Sequence, residues 1–195
     1  MQTKSELRQH FRKLRQQISP SDRESAAQAA ALLLVQQAFF KRSQHIACYF
    51  AVNDEFDTRM VIEAIWQAGK YCYLPVIAEQ KEKILSFVRY TDGDALEPNQ
   101  YHILEPVDKS NALMAAELDL VILPLLAFDD QGHRLGTGGG YYDRSFAFLG
   151  EQERKIALIG LAYARQQADS LPVDPWDIGL DAVLTEEGCR GWIIP

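Results

Sequence analysis

Residues 118–128, LDLVILPLLAF, are the strongest strand candidate in the chain, and they run straight into 129–146, DDQGHRLGTGGGYYDRSF. An apolar run without polar alternation marks a strand buried on both faces, as in parallel sheets covered by helices on either side. Pro124 has no amide hydrogen to give a neighbouring strand, so the strand is expected to stop near it. The segment after it brings together Gly136, Gly138, Gly139 and Gly140, which lowers the steric barrier to unusual backbone geometry at an entropic cost a plain turn does not require. A strand, a loop of small residues and a helix start in that order predict a place where backbone amides meet an anion.

Outward from this centre the chain alternates. HIACYFA (45–51), YCYLPVI (71–77), ILSFVRY (84–90), KIALIGLAY (155–163) and DAVLTEEG (181–188) read as strands. KSELRQHFRKLRQQIS (4–19), PSDRESAAQAAALLLVQQAFF (20–40), RMVIEAIWQAGK (59–70) and YYDRSFAFLG (141–150) read as helices, with 91–107 rich in turns. Pro20 suits a first helical turn and Gly69 a helix end. Helices alternating with apolar strands predict a three-layer α/β/α sandwich with a largely parallel central sheet. Residues 1–195 carry no internal repeat or linker signal and are expected to form a single domain.

Composition narrows the function. The apolar fraction of 47% and charged fraction of 24% are those of a globular protein. No apolar run reaches the length of a membrane span, and the N-terminal residues do not resemble a signal peptide, so a cytoplasmic protein is expected. Cys48, Cys72 and Cys189 form no C-x-x-C pair, and His10, His45, His102 and His133 show no metal-ligand spacing. The net charge of −7 hides an uneven distribution, with residues 1–15 at +4 and the remainder at −11. An acidic body argues against a general nucleic-acid surface, and a local anion site fits better. Within the first helix, Leu7, Phe11, Leu14 and Ile18 make an apolar stripe, and Lys4, Arg8, Arg12 and Arg15 a basic stripe beside it.

The glycine segment matches neither common phosphate loop. There is no G-x-x-x-x-G-K-[ST], and in a G-x-G-x-x-G frame begun at Gly136 the third glycine position is Tyr141. Its cations must come from elsewhere, with Arg134 the nearest. Asp143 follows the glycines, and a carboxylate beside phosphates calls for an intervening cation. Mg²⁺ binds in this way, through one or two carboxylates plus phosphate oxygens.

RLGTGGGYYDR (134–144), with LPLLAFDDQG (123–132) before it, resembles the signature of the 5-formyltetrahydrofolate cyclo-ligase family. KSELR (4–8), FAVNDEFDT (50–58) and LPVDPWDIGLDAVLTE (171–186) are similar to three further segments of that family, in the same order. The resemblance implies an ATP-dependent ligase that converts 5-formyltetrahydrofolate to 5,10-methenyltetrahydrofolate through a phosphorylated formyl group. Another nucleotide- or sugar-phosphate-using enzyme, or a non-catalytic homologue, is the alternative. It further implies ATP contacts at Lys4, Arg8, Arg134, Leu135, Gly136, Thr137, Gly138, Gly139, Gly140, Tyr141 and Tyr142. Folate contacts are implied at Phe50, Glu55, Tyr141 and the Thr137–Gly140 run. Arg134 and Tyr141 take catalytic roles, and Asp143 and Asp181 are the Mg²⁺ ligands. Small-molecule substrates and a monomer are expected, with no nucleic-acid or membrane partner. Thr137 and Gly139 stand where the family often has basic residues. Trp176 stands where histidine is common and reads as a packing residue.

Overall fold

A computed structural model describes residues 2–77, 83–150 and 156–192. Its helices are α1 (Lys4–Gln16), α2 (Pro20–Leu34), α3 (Ala38–Arg42), α4 (Arg59–Gln67) and α5 (Tyr141–Ser145). The strands are β1 (His45–Ala47), β2 (Tyr71–Ile77), β3 (Leu85–Tyr90), β4 (Leu96–Pro98), β5 (Leu104–Pro106) and β6 (Ala112–Leu113), then β7 (Leu120–Pro124), β8 (Ala127–Phe128), β9 (Arg134–Leu135), β10 (Ala157–Leu161), β11 (Ala182–Thr185) and β12 (Gly188–Gly191).

Eight strands form one sheet in the order β12-β11-β10-β7-β1-β2-β3-β6. The five from β11 to β2 pair in parallel, and β3, β6 and β12 add antiparallel margins. The apolar run before the glycine segment supplies β7, at the centre, and the strand ends at Pro124 as expected. Its residues divide between the two faces. Leu120 and Ile122 join Leu34, Phe39 and Ile65 on one side; Val121 and Leu123 join Phe146 and Leu149 on the other. Each fully buried side chain of this size contributes roughly 1.5–3 kcal/mol of transfer free energy, which explains why β7 tolerates no polar alternation.

The helical layers are unequal. Helices α2, α3 and α4 cover one face, whereas α5 and short 3₁₀ turns supply the other. Helix α1 packs apart from both, with Leu7 and Phe11 against Leu126, Leu135 and Leu171. That places α1 beside the segment that follows β7.

Several elements are shorter than their sequence pattern suggests, each for a visible reason. The second helix breaks after Leu34, where the side-chain amides of Gln36 and Gln37 donate to the carbonyls of Leu32 and Leu33. The first strand ends at Ala47 rather than Ala51, because the Thr58 hydroxyl takes the Tyr49 carbonyl at 2.5 Å and turns the chain away from the sheet. The expected helix over 141–150 is one α turn followed by a 3₁₀ turn at Ala147–Gly150. Ser145 Oγ bonds back to the Tyr141 carbonyl at 2.7 Å and accepts the Leu85 amide at 2.8 Å, which ends the α turn early. In the expected strand 155–163, Lys155 lies outside the described residues.

Candidate active site

A cavity of about 890 Å³ opens at the carboxyl ends of β1, β2 and β7, where Tyr49, Phe50, Pro75 and Pro124 form its floor. This is where an open parallel sheet gathers ligands. Two stretches remote in sequence, the start of α1 and the glycine loop, form one side of it.

The loop is shaped by arginines. Arg8 Nε donates to the Gly136 carbonyl at 3.0 Å, and Arg12 reaches that of Thr137 at 3.4 Å. Arg144 donates to the carbonyls of Gly139 and Gly140 at 3.2 and 3.0 Å. A peptide unit is planar, so a carbonyl held on one side turns the next residue's N–H to the opposite side. The amides of Thr137, Gly138 and Gly140 are oriented in this way, and among the described residues they have no backbone acceptor. Gly138 is at φ +104°, a conformation that L side chains rarely adopt, and a Cβ there would lie in contact with the Arg8 guanidinium at 3.4 Å. Gly140, at φ +70°, lies where one would meet Arg144 Nη1 at 2.5 Å. The glycines therefore admit the arginines as well as a ligand. Helix α5 has only five residues, so this turn offers individual amides rather than the dipole of the longer helix expected there.

The carboxylates of this wall are paired with Lys4 and Arg134. Lys4 Nζ bonds Asp174 at 2.7 Å and also Asp177, and these bonds outweigh burial to raise its pKa. Arg134, with its side chain only 5% exposed, donates through Nη2 to Asp143 Oδ1 at 2.5 Å. Its Nε is buried without an acceptor. Asp143 Oδ1 also accepts the Ile178 amide at 3.3 Å.

The inner wall is different. Glu55 accepts the Val52 amide at 3.1 Å. Burial raises its pKa, against the pull of that amide and of the Arg15 charge. Arg15 itself is only 6% exposed, and its Nη1 reaches the Leu125 carbonyl at 3.4 Å. Burial also pushes up the phenols of Tyr49 and Tyr142, with the Glu55 charge second among the causes for each. Phe50 lies edge-on to Tyr90 with centroids 5.2 Å apart.

Fourteen of the fifteen anticipated site residues, Lys4 to Asp143, thus line one cavity. Asp181 does not. It is 1% exposed at the amino end of β11, where its carboxylate accepts the Leu158 amide at 2.7 Å. It ties two parallel strands together at the end of the sheet away from the cavity, a structural role rather than that of a metal ligand. Trp176 is no packing residue either, being 70% exposed at the cavity rim.

The sequence reading missed the opposite wall. The β4–β5 hairpin brings in Asn99 and Glu105, the latter buried and bonded to the Ile77 amide at 3.0 Å. From its tip, Tyr101 Oη reaches Tyr141 Oη at 3.0 Å. Nothing in a turn-rich segment marks these residues, since their partners lie 28 and 40 positions away. Asp174 and Asp177, in contrast, flank a proline in the quoted DPWD and were open to recognition as a braced turn.

Comparison with known proteins agrees with this geometry. The model of the 5-formyltetrahydrofolate cyclo-ligase family matches residues 1–186. A 5-formyltetrahydrofolate cyclo-ligase of Haemophilus influenzae is 35% identical over 187 residues, 94% of this chain and 97% of that one. One from Escherichia coli K12 is 35% identical over 183 residues, 93% and 100% of the two chains. Among solved structures, a 5,10-methenyltetrahydrofolate synthetase of Aquifex aeolicus superposes with a TM-score of 0.81 at 30% identity, covering 96% of this chain and 92% of that one. A synthetase from Mycoplasma pneumoniae shares the fold at a TM-score of 0.72 and 24% identity, over 95% and 99% of the two chains. Matches of this extent leave no segment of the cavity wall to another ancestry, and the chain belongs to the 5-formyltetrahydrofolate cyclo-ligase family.

Proposed function

We propose that the protein uses ATP to convert 5-formyltetrahydrofolate to 5,10-methenyltetrahydrofolate, releasing ADP and phosphate. The observation that carries this reading is one cavity with two unlike walls: a glycine loop whose amides at Thr137, Gly138 and Gly140 have no backbone acceptor among the described residues, and a partly buried carboxyl at Glu55. The first suits a polyphosphate, and the second suits the N–H groups along the edge of a pterin.

The chemistry needs both substrates in contact. The N5-formyl oxygen attacks the γ-phosphorus, and the bond to ADP breaks. The formyl carbon is then an iminium carbon bearing a phosphate ester. N10 attacks it and closes the five-membered ring. The C–O bond breaks, phosphate leaves with that oxygen, and N10 gives up its proton. Little covalent work falls to the protein, so catalysis is mostly positioning and charge stabilisation. In this reading the amides of Thr137, Gly138 and Gly140 hold phosphate oxygens, and Arg134 turns its free Nε to the moving phosphoryl group. Phe50 and Glu55 hold the pterin, and Tyr141 sits between the two substrates.

Mg²⁺ fits the wall through Asp143, whose Oδ2 has no protein donor among the described residues. These residues contain no cluster of three metal-binding side chains, so phosphate oxygens and water would complete the shell. When bound, the ion neutralises phosphate charge. We further read residues 1–195 as one catalytic unit acting as a cytoplasmic monomer. The free thiols of Cys48, Cys72 and Cys189 are in keeping with a reducing compartment, and no helix among the described residues is long and apolar enough to cross a membrane.

The test is direct. Purified protein with 5-formyltetrahydrofolate and Mg-ATP should develop the near-ultraviolet absorbance of the methenyl product, with one ADP per turnover. Folded protein that forms no product at high enzyme concentration would overturn the reading.

A further inference from the structure

Among the described residues Trp176 is the most exposed of the large apolar side chains, yet its backbone is braced on both sides. Asp174–Asp177 is a four-residue turn with Pro175 at its second position, closed by the Asp177 amide on the Asp174 carbonyl at 3.0 Å. The Asp177 carboxylate accepts the Asp174 amide at 2.8 Å, and Lys4 of α1 grips both carboxylates. One residue past the turn, the Ile178 amide is fixed to Asp143. The backbone that carries the indole is therefore held at a set position between α1 and the end of the glycine loop.

Of the other aromatic rings around the cavity, Tyr49 is buried, and the rest have aromatic neighbours. Phe50 meets Tyr90, Tyr141 meets Tyr101, and Tyr142 stacks on Phe146 with planes 7° apart. Trp176 has no such contact among the described residues, so its face is available. It also belongs to the turn that Lys4 grips.

We infer that Trp176 is the platform on which the nucleotide base stacks, making it the residue that sets nucleotide preference. This rests on the ATP-using reading above. With phosphates on the loop amides, the base leaves the cavity over the rim where the DPWD turn presents the indole. Stacking on an indole needs no particular hydrogen-bonding edge and grows with ring area. The site should therefore use ATP and GTP similarly and CTP less well.

The experiment compares wild type with Trp176→Ala and Trp176→Phe, using ATP, GTP and CTP in turnover and ADP in a titration of intrinsic fluorescence. Trp176→Ala should raise the KM for ATP about tenfold, the size of one lost stacking contact. It should leave kcat and the folate KM within about twofold and abolish most of the ADP-induced fluorescence change, with Trp176→Phe intermediate. The preference for ATP over CTP should shrink with it. Truncating so exposed a side chain removes no core contact, and a matched melting temperature checks this. An unchanged KM for ATP, or a rise confined to the folate KM, would overturn the inference. ADP binding is read without turnover, so a wild type that binds ADP through Trp176 but makes no product would defeat the cyclo-ligase reading alone.

Discussion

The two ends of the cavity handle charge in opposite ways. At the glycine-loop end the carboxylates are paired, Asp174 and Asp177 with Lys4 and Asp143 with Arg134, while Arg8, Arg12 and Arg144 hold only loop carbonyls. At the inner end Glu55 has one backbone amide and a distant attraction to Arg15, and among the described residues it forms no salt bridge. At the first end Lys4 and Arg134 already hold carboxylates, so a nucleotide that used them would have to exchange partners. The second carries an unrelieved desolvation cost that a ligand's N–H groups would remove. One end should bind loosely and respond to salt and metal, while the other should provide discrimination.

Removing Asp143 should have the largest effect. Asp143→Ala is expected to lower kcat by about 10²–10³-fold, the usual loss when one group that organises transition-state charge is deleted. The same change frees Arg134, so the KM for ATP should stay level or fall. A KM that rises in step with the loss of kcat would break the partner-exchange picture.

Glu55→Gln comes next. Losing a charge-assisted hydrogen bond worth about 1.5–3 kcal/mol should raise the folate KM roughly 10- to 100-fold, with the ATP KM nearly unchanged. The two ends would then be shown to act separately. The same variant should be more stable than wild type at neutral pH, by about 1 kcal/mol in chemical denaturation. The sign follows from linkage. A carboxyl whose pKa is raised on folding binds more protons in the native state than in the unfolded chain, so stability falls as pH climbs from the ordinary glutamate range through the raised value. Folate capture by the ionised form runs the other way. The acid limb of kcat/KM for folate should lie above the ordinary carboxylate range and disappear in Glu55→Gln.

Tyr101→Phe should have the smallest effect. It cuts one exposed hydroxyl bond to Tyr141, worth about 1 kcal/mol, and kcat/KM for folate should drop about fivefold. A variant indistinguishable from wild type would leave the hairpin as a passive wall.

This contrast between the ends also separates what could be read in the sequence from what could not. The central strands were legible because burial on both faces demands unbroken apolar runs, as in β7 and β10. The glycine loop was legible because φ values such as +104° at Gly138 nearly dictate the residue type. Glu55 and Phe50 required the family resemblance, since an acid in a loop is ordinarily solvated. Asp181 shows the limit of such transfer, because a motif position does not reveal whether a carboxylate faces a cavity or a neighbouring strand's amide. The pairing of Lys4 with the DPWD turn was illegible for another reason: its members are 170 and 173 residues apart, and only the folded chain brings them together.

That separation has a further consequence for how the protein is made. Helix α1 leaves the ribosome well before the segments it packs on, steadied by reciprocal bonds between Thr3 and Glu6, but a lone helix of 13 residues is marginal in water. Its apolar partners Leu126, Leu135 and Leu171 follow more than a hundred residues later, a delay on the order of ten seconds at ordinary synthesis rates. Strand β1 likewise waits for β7 to cover its open edge. The nascent chain therefore carries an unsatisfied helix and an unpaired strand through most of translation. Nucleotide cannot template an earlier collapse, because the loop that would hold it is shaped only when Arg8 and Arg12 close on it.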